Sequence, residues 1–211
     1  MVRGRGKWRW LLTVVLCLFF AWRINQDFGQ AELNILNALL SRLDFKYLFK
    51  AEQGGAVDAG QMQEFRRYFI RMAQDIPVEA DAYAMQGFCD AYLGHIDAAV
   101  AAYQKSVAIN PHMAWAHYNL GVLYLKRADF AKAFEAFNNV LAIRPQAYTM
   151  VLGRSKIYAD IIRSAPDTSI ETRAKELYAS SYYAAGVIHQ LMQSSNQSFD
   201  LEKLGVRVRV F

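Results

Sequence analysis

The 211-residue chain is 54% hydrophobic and holds two cysteines, enough apolar residues for a core and too few thiols for a disulfide framework. Its formal net charge of +5 is carried at one end by Arg3, Arg5, Lys7, Arg9 and Arg23, and from Ile24 onward 19 basic residues are matched by 19 acidic ones. A near-neutral remainder with no basic stripe speaks against nucleic acid as a partner.

In chain order, residues 1–25 come first. A basic start rich in glycine leads into Trp10 to Trp22, a run without charge. Crossing a bilayer takes about 20 helical residues, so the predicted span runs from Trp8 to Asn25, with Trp8, Trp10 and Trp22 at the interfaces and Arg9 and Arg23 snorkelling. No small-x-small site follows the run, which favours an uncleaved anchor over its alternative, a removed signal peptide. Four basic residues before the uncharged run and one after it place the amino terminus in the cytoplasm. On that reading the chain is a single-pass protein of the inner (cytoplasmic) membrane, with its remainder in the periplasm or another extracytoplasmic space.

Residues 26–45 carry Leu33, Leu36, Leu40 and Leu43 at helical spacing, widened by Ile35 and Leu39, and predict an amphipathic juxtamembrane helix. It is expected either to pack as a cap on the next helices or to make a membrane-surface or coiled-coil contact. Gly54-Gly55 and Gly60 predict a loop over 51–60.

A period of 34 residues governs the centre. Gly87 returns as Gly121, Ala99 as Ala133, Tyr103 as Phe137 and Pro111 as Pro145. A period of this size signals stacked units that need one another to bury their apolar faces. Each unit predicts two helices with a turn between them: Tyr83 to Leu93 and Ile96 to Ile109 about Gly94, then Trp115 to Lys126 and Phe130 to Ile143 about Ala128-Asp129. Small residues at Gly87 and Ala99 allow close helix approach, and Pro111 ends the second helix. The same offset pairs Pro77 with Pro111, Phe69 with Tyr103 and Gly60 with Gly94, so residues 46–79 form a degenerate unit ahead of the clear ones at 80–113 and 114–147.

Past Pro145 the period fades. Residues 148–194 predict a degenerate repeat and a long capping helix, whose stripe comprises Leu177, Tyr178, Ser181, Ala184, Ala185, Ile188, Leu191 and Met192. Residues 195–211 are a polar linker followed by the alternating Val206, Arg207, Val208, Arg209 and Val210. Alternation predicts an extended segment: a frayed tail, or a strand that adds to the edge of a partner's sheet.

Gly87, Gly94, Ala99, Tyr103 and Pro111, with Leu120, Gly121, Tyr124, Phe130, Ala133, Phe137 and Pro145, resemble the signature positions of the tetratricopeptide repeat family. The second unit is the better match; the first has Gln86 and Asp90 where the family has apolar or aromatic residues. The resemblance implies an all-α solenoid of helical hairpins behind the anchor. It also implies a partner-binding inner groove on the first helix of each unit. Carried over by position, that groove comprises Asp81, Ala84, Phe88 and Tyr92, then Trp115, Tyr118, Asn119, Val122 and Lys126, extended by Thr149, Leu152, Lys156 and Asp160. The bland alternative is that several of these aromatics pack on the neighbouring unit. Members of the family that clamp a carboxyl terminus use Lys, Arg and Asn at such places, and only Asn119 fits here.

Catalytic patterns are missing from the sequence. His95, His112, His117 and His189 have no metal-ligand spacing, and Cys89 lies on a helix as a small core residue. No metal, cofactor or enzymatic reaction is expected. The expected function is a membrane-anchored scaffold or assembly factor that holds a protein or peptide of the cell envelope. The alternative is a structural accessory subunit built permanently into a larger membrane complex.

Overall fold

The described residues are mostly helical, and no strand is found among them. The computed structural model describes residues 5–144, 147, 150, 154–164, 169–193 and 206–210, and the side chains at 5–12, 25–26, 162 and 164 lie outside that description. The chain divides into two units, residues 1–41 and 42–211.

The first unit is α1, Arg5–Leu40, which runs unbroken past the boundary expected near residue 25. No proline stands there and Gly29 is the one glycine, which costs a helix about 1 kcal/mol, too little to end it. Val14, Val15, Leu16, Leu18, Phe19, Phe20, Trp22 and Ile24 are exposed. Among the described residues no helix is long and apolar enough to cross a membrane. The expected span takes in residues 8–12 and Asn25, whose side chains are outside the described set.

In the second unit, α2 (Lys46–Glu52) and α3 (Ala59–Asp75) are followed by two hairpins, α4 (Ala80–Tyr92) with α5 (Ile96–Ile109) and α6 (Ala114–Lys126) with α7 (Phe130–Ala142). Then come α8 (Lys156–Ser164) and α9 (Ile170–Gln193). Packing is sequential: α3 on α4, α4 on α5, α5 on α6, α6 on α7, with α9 covering α7 and touching α6. The period has a steric cause in the two hairpins. A Cβ on Gly87 would lie 2.9 Å from the Tyr103 ring, and one on Gly121 2.8 Å from the Phe137 ring, so each glycine gives up its side chain to the aromatic across the pair.

Both hairpins turn by the same hydrogen bonds. His95 N–H reaches Asp90 O at 2.8 Å and Asp129 N–H reaches Tyr124 O at 2.9 Å, closing a Schellman motif around a left-handed residue. That residue is Gly94 (φ 80°) in the first hairpin and Ala128 (φ 55°) in the second.

The degenerate unit reverses elsewhere. Gly54 (φ 78°) makes the turn between α2 and α3, and Gly60, which the offset pairs with Gly94, lies inside α3. The cause is Asp58, whose carboxylate accepts from Gln61 N–H at 3.1 Å and starts α3 early. Asp90, the departure from the family pattern, is buried and accepts from Arg66 Nε of α3 at 2.5 Å, so a charged pair joins the degenerate unit to the first hairpin. Tyr83 adds a hydroxyl bond to Ala73 O at 3.2 Å across the same interface.

In α9, Leu177, Ser181, Ala184, Ala185 and Ile188 are buried as expected, but Tyr178 and Met192 are exposed. Tyr178 sits one residue, about 100°, round the helix from Leu177. Met192 lies past Ile188, the last buried position.

Candidate protein-binding groove

The first helices of the units, α2, α4 and α6, present residues to a common inner face, where an open cavity of about 310 Å³ is lined by Glu52, Phe88, Tyr92 and Lys126 and bounded by Arg207 and Val208. Val206 and Val210, from a stretch far away in sequence, are buried. The stretch is not frayed: it lies extended against helices, with side chains supplying the hydrogen bonds a neighbouring strand would give.

Asn119 of α6 makes the central contact. Its Nδ2 donates to Arg209 O at 2.7 Å while its Oδ1 accepts from Arg209 N–H at 2.8 Å, so one buried amide satisfies both backbone groups of one extended residue. The same Nδ2 donates to the Tyr103 hydroxyl at 3.0 Å, which fixes the plane of the amide. Glu52 serves the next residue: its Oε2 accepts from Val210 N–H at 3.1 Å, and its Oε1 accepts from the buried Arg173 guanidinium of α9. The Arg209 side chain donates to Glu176 at 3.0 Å and stands 5.7 Å above the Tyr118 ring, while Arg207 donates to Gln53 at 3.2 Å. Burial raises the pKa of the Tyr118 hydroxyl, and Arg209 opposes that rise.

The carried-over groove residues do not share one environment. Phe88 and Lys126 line the cavity, as does Tyr92, although its hydroxyl is tied to Val57 by bonds of 3.1 and 3.2 Å to the N–H and C=O. Tyr118 and Asn119 lie beneath the 206–210 segment. Ala84, Val122 and Trp115 are fully buried and belong to the core. Trp115 is wedged edge-on between Tyr103 at 6.0 Å and Tyr158 at 5.5 Å, so the packing alternative holds for it.

Asp81 is buried as well, and burial, reinforced by Glu79 and opposed by a hydrogen bond with Ser155, raises its pKa from 3.8 to about 7. Lys156 is paired with Asp160 at 3.8 Å, and Thr149 and Leu152 lie outside the described residues. Glu52, Arg173 and Glu176 have no sequence signal: Glu52 precedes a glycine turn, and nothing local links it to a residue 121 positions away.

Residues 90–127 match the family described as TPR repeat, and residues 114–147 match the tetratricopeptide repeat. Over residues 90–147, then, the sequence matches tetratricopeptide repeats. Tetratricopeptide repeat protein 6 of Homo sapiens is 26% identical over 86 residues, 41% of this chain and 16% of that protein, so the chain spans about a sixth of its relative's length. Two crystal structures of MamA are similar, one 20% identical with a TM-score of 0.40 over 74% of this chain and 94% of that one. The other is 17% identical with a TM-score of 0.41 over 89% and 97%.

Among the described residues no His, Cys, Asp and Glu side chains are grouped to hold a metal ion. Cys89 is buried, and burial pushes its thiol well up, away from the thiolate. His117 bonds through Nε2 to Pro111 O at 3.0 Å, and burial lowers its pKa.

Proposed function

We propose that this chain is a non-enzymatic scaffold whose tetratricopeptide repeats bind an extended segment of a protein partner on the inner face of α2, α4 and α6. The observation that carries the proposal is the two-point bond of Asn119 to the backbone of Arg209. A side-chain amide that answers both an N–H and a C=O recognises extended backbone of any sequence, and the side chains around it add selectivity. Asn119→Ala tests it. Partner recovery by cross-linking from native material is expected to fall at least tenfold, with helix content by circular dichroism unchanged; full recovery would sink the groove assignment.

We further place α1 at a membrane, with the basic residues before it on the cytoplasmic side and the repeats beyond, as an assembly factor of the cell envelope. Its support is the exposed apolar run of Val14 to Trp22 on one helix, which water does not favour. Extraction of native membranes at alkaline pH checks this: the chain should stay with the pellet, and release into the supernatant would argue for a peripheral role. The exposed Tyr178, Tyr182, Tyr183 and Met192 on α9 favour a second reading, a permanent subunit that packs this face inside a larger complex.

A further inference from the structure

We propose that residues 206–210 are an intramolecular stand-in for the groove's partner, and that the partner is an extended segment in which an arginine stands among β-branched residues. The inference rests on the groove assignment proposed for Asn119 and adds what the groove selects and what keeps it occupied. Selection comes from three contacts. Asn119 fixes the backbone of Arg209, Glu176 and the Tyr118 ring hold its guanidinium, and burial of Val206 and Val210 favours apolar residues on either side. Bonds from Asn119 and Glu52 join residues 90 and 158 positions apart, so local chain geometry does not impose them. The cavity left beside Arg207 and Val208 leaves room for a partner with more to offer than this segment.

Occupation comes from tethering. A ligand on its own chain acts at an effective concentration on the order of millimolar. A free competitor with an intrinsic Kd of ~10 µM, facing a tethered copy of equal strength, is then weakened about 100-fold. A stronger partner displaces the segment, and the groove opens only to it.

The test uses the full chain and a fluorescent peptide of the 205–211 sequence with both ends blocked. Anisotropy should show the peptide binding Val206→Asp/Val210→Asp at least tenfold more tightly than the unaltered chain. The gain should vanish when Asn119→Ala is added, and when the peptide carries glutamate at the position of Arg209. Equal affinity for the two chains, or no binding to the variant, overturns the proposal. A second measurement needs no variant: in the unaltered chain, labelled with nitrogen-15, millimolar peptide should move the Arg209 and Val210 amide resonances towards their free positions. Resonances that stay fixed overturn it too. So would a chain that runs as a dimer and becomes monomeric in the double variant, because the segment would then fill a second copy's groove. If the peptide fails while Asn119→Ala still abolishes recovery of a natural partner, the groove stands and the stand-in falls; if both fail, the groove falls as well.

Discussion

Single positions carry the close packing of the repeats, and glycine does so most directly. At Gly121 a methyl group would enter the Phe137 ring at 2.8 Å, with the ring itself fully buried. Gly121→Ala should therefore destabilise the chain by about 1–3 kcal/mol despite alanine's better helix propensity, seen as a lower urea midpoint. Asp81 makes the opposite point about charge. Its folded-state pKa of about 7 lies above the ordinary 3.8, so the folded chain binds the proton more tightly than the unfolded one. The stability this gives is full below the unfolded pKa and is lost as pH rises through the folded one. Asp81→Asn should match the parent near pH 4 and exceed it near pH 8 by an amount on the order of 2–4 kcal/mol. Paired urea titrations across that window check it, and parallel curves would mean that Asp81 stays ionised when folded.

At the scale of elements, the two hairpins share one turn with different residues at its left-handed position. Ala128 occupies at φ 55° the place Gly94 fills at φ 80°. A side chain there costs roughly 1 kcal/mol, so Ala128→Gly should raise the thermal midpoint, worth about 0.5–1 kcal/mol. These hairpins were legible in the sequence because glycine, aromatic and proline recur at fixed spacing, and each has a local steric reason to be there. The degenerate unit was less legible: Asp58 caps α3 early and moves the reversal from Gly60 to Gly54. The residues of the proposed groove were legible in part. Phe88, Tyr118, Asn119 and Lys126 follow from their place in the repeat, whereas burial of Trp115 depends on Tyr158, which comes from a stretch where the period has faded. Seating of residues 206–210 depends on Glu52, Glu176 and Asn119 together, a meeting of three helices that no spacing records.

For the molecule beyond its elements, stacked repeats touch only their neighbours, and such arrays ordinarily lose structure from their ends inward. Here Glu52 of α2 bonds Arg173 of α9, passing over the hairpins between them, and both side chains are buried. Separating the pair leaves a charge without its partner in the interior, a loss of about 3–5 kcal/mol. The terminal helices of this unit therefore lack a cheap route to fraying. Amide hydrogens of α2 and α9 should exchange with solvent at rates close to those of α4 and α6, as parts of one cooperative block. In Arg173→Met, α2 should exchange at least tenfold faster than α6, and the array would melt in stages.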